Sequence, residues 1–266
     1  MLFRSVIRSQ EQGYILPDTF NRLGLGAVEY LGFAPKEHSC PRPPPPLLHW
    51  NTQDLFTVDR SRCSYLGLVM EDLSLQSRVL SQTVTAFIQA TRPVSQLSQP
   101  EIDRFIQNIV DGLFYLDAVV KDTKLGQPAG MKGCGRQSCF SRTEHRYAQS
   151  SIDTILQNLR AVREVFHGSG SKAGARGFYD YLHELGAVSV ADGMLYHLDQ
   201  AIANLEGQES SLLDLAKSSG GRGCWDQDSE LCQHYADVKQ VTDDLKGEFL
   251  KILQLRAPDV AQGDAD

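Results

Sequence analysis

The segment LCQHYADVKQVTDDLKGEFLKI, residues 231–252, carries its apolar side chains at Leu231, Tyr235, Val238, Val241, Leu245, Phe249 and Ile252. Steps of three and four residues place all of them on one face of an α-helix. Similar stripes recur upstream. One runs through Leu66, Val69, Met70, Leu73, Leu80, Val84, Phe87 and Ile88. Another runs through Ile102, Phe105, Ile106, Ile109, Leu113, Leu116 and Val120, behind Ser98 as a capping residue and Pro100 in the first turn. A third comprises Tyr147, Ala148, Ile152, Ile155, Leu159, Val162 and Phe166, stopping at Gly168. A fourth comprises Tyr181, Leu182, Leu185, Met194, Leu195, Leu198, Ile202 and Leu205, with a break expected near Gly186. Val188-Ser189-Val190 alternates but is too short for a strand. The expected fold class is all-α, built as helical bundles. The stripes at 62–90 and 229–253 suit either core packing or a partner helix, and core packing is the expectation.

The 266 residues suffice for one large domain or two small ones. Loops of unusual composition separate the helices. Residues 34–61 contain Pro43-Pro44-Pro45-Pro46, a polyproline-like surface segment, and residues 126–141 hold four glycines and two cysteines. A boundary in the second of these gives a first bundle at 1–125 and a second at 126–266. The first bundle offers three helices, at about 18–33, 62–90 and 99–123, and reads as incomplete at its N-terminus. The opening residues Met1-Leu2-Phe3-Arg4-Ser5 do not form a signal peptide, so an export signal is expected upstream of this chain.

A formal net charge of −7 suits neither nucleic acid nor an anionic lipid surface. No apolar run reaches the ~18 residues of a membrane span. The six cysteines, Cys40, Cys63, Cys134, Cys139, Cys224 and Cys232, fall in local pairs. Fifteen disulfide connectivities are open to six cysteines. The neighbour pairing 40–63, 134–139 and 224–232 is favoured because each pair closes a loop rich in Gly, Pro or Ser. Metal binding is the alternative, but the spacings are wide and irregular for a structural zinc site. Disulfides imply an oxidising compartment, here the periplasm or cell envelope.

Three segments resemble the imelysin-like family. Leu23-Gly24-Leu25-Gly26-Ala27-Val28-Glu29-Tyr30-Leu31 is similar to its Gly-x-His-x-x-Glu helix, with Gly24 and Glu29 matching and Gly26 standing at the histidine position. Lys124-Leu125-Gly126-Gln127-Pro128-Ala129-Gly130 resembles a loop that follows a central helix in the family. The third segment spans Glu144, Ala148, Ser151, Asn158, Leu159 and Phe166-His167-Gly168. The resemblance implies two packed helical bundles and a family that includes envelope metallopeptidases and periplasmic iron-uptake components.

Glu29 is the leading candidate ligand. A His and a Glu three residues apart share a helix face and ligate one metal. Without the His, Glu29 keeps one hard oxygen donor, suited to iron or another divalent metal only with help from elsewhere. The structural alternative is an ordinary helix carboxylate in a hydrogen bond or ion pair. Gly24 and Gly26 suggest a close backbone approach by a helix or ligand, since helix-interior glycine costs about 1 kcal/mol relative to alanine. Glu144, Ser151 and Asn158 lie seven apart and either frame a polar pocket or cross-link helices, cross-linking being favoured.

The histidines form no zinc-protease motif. His183-Glu184 lacks a second histidine at the required spacing, His197 and His234 lie beside apolar stripes, and His38 and His49 flank the proline segment. Gly168-Ser169-Gly170-Ser171-Lys172 lacks the ending and preceding strand of a phosphate loop. The expectation is therefore a non-enzymatic imelysin-like envelope protein associated with metal (iron) binding or uptake. A metallopeptidase and an envelope scaffold or interaction module, the latter using Trp50, Phe56 and the prolines of the 35–60 loop, are the alternatives.

Overall fold

The computed structural model describes residues 24–34, 55–135, 137–168, 176–225 and 229–258. Every regular element among them is helical, and the one β-type contact is an isolated bridge between Gln137 and Arg222. The all-α expectation holds. The chain forms two compact units, Met1–Pro93 and Val94–Asp266. The division therefore falls between residues 93 and 94 and not at 125/126. The reason lies in packing: the segment Leu116–Gly126 buries Leu116, Val120 and Leu125 in one core with the helices that follow it.

In the first unit, α1 (Leu25–Phe33) lies against α2 (Leu55–Ala90). α1 buries Ala27 and Leu31, and its last carbonyls are capped by the nearly buried Arg62. The Arg62 guanidinium donates to Tyr30 O at 2.7 Å, Ala34 O at 2.9 Å and Leu31 O at 3.1 Å. This answers the orphan carbonyls of a helix end with a cation, which the helix dipole also favours. α2 buries Tyr65 and Val69, but every residue from Ser74 to Ala90 is exposed. The expectation of core packing along 62–90 therefore fails for the distal half of this helix.

The second unit is built from α3 (Gln99–Leu113), a π-helix (Leu116–Gly126), α4 (Ser151–His167), α5 (Phe178–Glu184), α6 (Val188–Glu206), α7 (Leu212–Ser218) and α8 (Glu230–Asp244). A π-turn (Leu245–Phe249) and α9 (Leu250–Leu253) complete it. α3 starts as read from its sequence, with Ser98 N donating to Glu101 Oε2 at 2.9 Å. Gly186, at φ 78°, breaks α5 from α6 where glycine alone is at ease. The stripe of residues 231–252 bends at Gly247, whose ψ of −115° is not helical. Buried Leu159, Leu198, Val238, Val241 and Phe249 join one continuous core.

Loops close one end of this unit. Disulfides join Cys134 to Cys139 and Cys224 to Cys232, as the neighbour pairing expects. Cys63 is a free, exposed thiol, which corrects the expected 40–63 bond, and Cys40 lies outside the described residues. Both disulfide loops hang on three consecutive carbonyls. Cys139 N donates to Pro128 O at 3.2 Å, Cys224 N to Ala129 O at 2.9 Å, and Trp225 Nε1 to Gly130 O at 3.3 Å.

Candidate functional site: the motif helix and a buried lysine cluster

The motif helix α1 begins immediately after Gly24, its N-cap, at φ 81°. That backbone angle accounts for the glycine. Gly26 has a different surrounding: a Cβ built there meets nothing within 4 Å among the described residues. Among the described residues nothing makes the expected close approach at Gly24 or Gly26. Glu29 follows three residues later on the same face, half-buried.

The donor set tests whether a metal fits. Gly26 supplies no donor, and among the described residues no three His, Cys, Asp or Glu side chains come together. That donor set makes no resident metal centre among the described residues, so no chemical step is routed through one. Nor do the distant histidines converge among the described residues. His183 Nε2 faces Asp192 at 3.4 Å, His197 Nδ1 faces Asp244 at 2.6 Å, and His234 Nε2 faces Gln208 Oε1 at 3.0 Å. Burial holds His234 below the ordinary imidazole range, against the raising influence of Asp237 and Glu230. A hydrogen bond to Asp192 raises the Tyr179 phenol above its ordinary value. His38, His49 and most of the 35–60 loop lie outside the described residues.

The second candidate set does come together, around a residue that its sequence spacing did not reveal. Lys124 Nζ meets Glu144 Oε2 at 3.0 Å and donates to Asn158 Oδ1 at 3.0 Å. Ser151 Oγ donates to the backbone carbonyl of Glu144. Glu144 stands outside the helix: α4 begins only at Ser151, and His145 and Gln149 adopt positive φ in the preceding loop. This corrects the expected helical start near Tyr147. Ser151 and Asn158, one above the other on α4, clasp this loop and Lys124 from one side.

Beside Lys124, the π-helix carries Asp117, Lys121 and Asp122. Lys121 Nζ is fully buried between Asp117 at 3.0 Å and Asp122 at 3.1 Å. The other Asp117 oxygen meets Lys246 of the π-turn at 2.9 Å, so the two π-helical stretches are joined by an ion pair. Lys132 approaches Asp122 at 3.6 Å. π-Helical widening is costly and persists where surroundings hold it. Here the surroundings are charges, each facing an opposite charge, which fasten three segments of the core. The cluster therefore favours the cross-linking reading of Glu144, Ser151 and Asn158. A sequence clue existed in the i, i+4 spacing of Asp117 and Lys121. The partners Lys246 and Asn158 lie too far along the chain to be read from it.

The glycines of the second resembling segment, which is mostly buried, are also accounted for. A Cβ at Gly126 would lie 2.9 Å from Lys121 O, and one at Gly130 would lie 2.6 Å from Gln137 O. Both positions need glycine for space. No helix among the described residues is long and apolar enough to cross a membrane.

No curated protein and no solved structure matches the chain. The family model described as Imelysin (Peptidase M75) matches residues 5–252, nearly the whole length. With the helical architecture, this match establishes that the chain belongs to the imelysin family.

Proposed function

We propose that this chain is a non-catalytic cell-envelope protein that handles a divalent metal, iron foremost, as cargo and not as a resident cofactor. One observation carries the reading. The motif helix keeps its half-buried acid, Glu29, while the neighbouring ligand position is Gly26, where nothing among the described residues crowds a Cβ. A single carboxylate leaves most of a hard cation's coordination to water, a chelator or a partner. That suits transient capture better than tight retention. The two disulfides support an oxidising compartment such as the periplasm.

The peptidase reading has less support. Metal-assisted hydrolysis needs an ion held by several ligands, a water on it and a general base. Among the described residues no group of three or more His, Cys, Asp or Glu side chains assembles to hold such an ion.

The test is metal content by elemental mass spectrometry after exposure to iron, copper, zinc and calcium, with Glu29→Ala beside the parent chain. Metal retained by the parent and lost in the variant supports the reading. Equal metal in both, or none in either, removes Glu29 from it. Metal-dependent proteolysis abolished by Glu29→Ala would establish the peptidase instead.

A further inference from the structure

Helix α2 spans 36 residues, about 54 Å at 1.5 Å per residue, and its buried side chains among the described residues all lie between Ser61 and Val69. Its exposed half is not a typical polar surface. Five large apolar side chains that share one face, Met70, Leu80, Val84, Phe87 and Ile88, are 47–68% exposed, with Leu80 at 64% and Phe87 at 68%. Contiguous exposed apolar surface of this kind marks an interaction site.

The spacing identifies what would cover it. Cys63, Leu66, Met70, Leu73, Ser77, Leu80, Val84 and Phe87 follow each other at strictly alternating steps of three and four. A sustained seven-residue period over ~4 heptads is the seam of a coiled coil, so the fitting occupant is another helix. A membrane-surface helix would instead need Lys or Arg across its polar face. The polar face here carries Glu71, Asp72 and Arg78. α1 does not occupy the seam: it covers Arg62, Tyr65 and Val69 on the adjoining face, and Cys63 and Met70 stay exposed.

The flanks select the partner. Gly67, Val69, Ser74, Gln76, Ser81, Thr83 and Ile88, which border the seam, are all uncharged, and the Arg62 guanidinium at its start is engaged by the carbonyls of α1. Charges at these positions are what direct a helix to a different chain or keep identical helices apart. Their absence past Arg62 lets two identical copies meet without repulsion along the contact. Ser77 interrupts the seam at its middle, and a polar residue at such a position favours one register.

We propose that α2 pairs in parallel, in-register fashion with α2 of a second copy of this chain. Cys63 of each copy then faces the other at the first seam position. This inference is independent of the metal reading.

The test uses the full chain. Light scattering coupled to size exclusion should give the mass of two chains, and Leu80→Glu/Phe87→Glu should give the mass of one. Both substitutions fall on exposed positions, so helicity by circular dichroism should be retained. The conservative pair Leu80→Ile/Phe87→Leu should remain dimeric. In a Cys40→Ser background, a short bismaleimide should cross-link the two Cys63 thiols in the dimer and fail in the Leu80→Glu/Phe87→Glu variant. A parent chain of single mass at every attainable concentration overturns the proposal. So does a dimer indifferent to the glutamates, or a dimer that does not cross-link. Binding of the parent, but not the glutamate variant, to phosphatidylglycerol vesicles in place of dimerisation would assign the face to lipid and overturn it as well.

Discussion

Asp117→Asn tests whether charge pairing, and not apolar packing alone, holds the π-helix in the core. The Asp117 carboxylate is 2% exposed and stands 3.0 Å from Lys121 Nζ and 2.9 Å from Lys246 Nζ. At an effective dielectric constant of about 20, one pair at this distance gains roughly 5 kcal/mol of Coulomb energy. Desolvation offsets several kcal/mol for each ion. The amide keeps the shape and removes the charge. Lys121, 0% exposed, is then left with Asp122 as its carboxylate partner, whereas Lys246, 22% exposed, regains water. The expected loss is about 3 kcal/mol, near the lower end for breaking a buried pair from one side. For a unit of this size that lowers the melting midpoint by roughly 6–12 °C. Urea unfolding followed by circular dichroism measures it, and the slope with urea should be unchanged. The double variant Asp117→Leu/Lys121→Met removes both buried charges and should recover to within about 1 kcal/mol of the parent. A single variant losing under about 1 kcal/mol, or a double losing as much as the two singles combined, would refute the reasoning.

Other outcomes follow from the same geometry. Gly26→His should fold at least as stably as the parent, since nothing among the described residues crowds a Cβ there, and should bind zinc about tenfold more tightly by calorimetry through the restored His and Glu29; unchanged affinity would show that the two positions do not share a ligand face. Gly130→Ala, at φ 74° and with its Cβ 2.6 Å from Gln137 O, should lower stability by about 2 kcal/mol or more in the same urea assay. His234 favours its neutral form in the fold, because burial lowers its pKa below the ordinary 6.5. The unfolded chain therefore takes up its proton first, so this contribution is complete above about pH 6.5 and is lost as pH falls from there toward the lower folded value. Melting curves from pH 8 down to 5 should show that slope, and His234→Gln should flatten it.

The helices of the second unit were legible because each buries one continuous stripe, and stripes survive in sequence as steps of three and four. Ser98, Glu101 and Gly186 punctuate them in the sequence as they do in the fold. The distal half of α2 shows the limit of that reading. An apolar stripe reports a face that avoids water, not which surface covers it, and Leu80 and Phe87 look the same in either case. The lysine cluster was hidden for another reason. Lys121 and Lys124 are residue types that ordinarily reach solvent, and what buries them are carboxylates and an amide supplied from Asp117, Glu144 and Asn158. Glu144, Ser151 and Asn158 were recognised as a set by spacing. They do converge, but Glu144 arrives from a loop with two positive-φ residues, so its route was not helical.

The three carbonyls of Pro128, Ala129 and Gly130 have a consequence for how this family segment can vary. Backbone oxygens are the same whatever side chain accompanies them, so at Pro128 and Ala129 the anchoring of Cys139 and Cys224 depends on chain length more than on residue type, whereas Gly130, which holds Trp225, must also stay glycine. Inserting or deleting one residue between Pro128 and Gly130 would shift every acceptor past its donor at once. Both cysteine loops would lose their seats while each disulfide, closed within its own few residues, stayed intact. Tolerance at this end of the bundle should accordingly be wide for replacement of side chains such as Gln127 and narrow for any change in spacing.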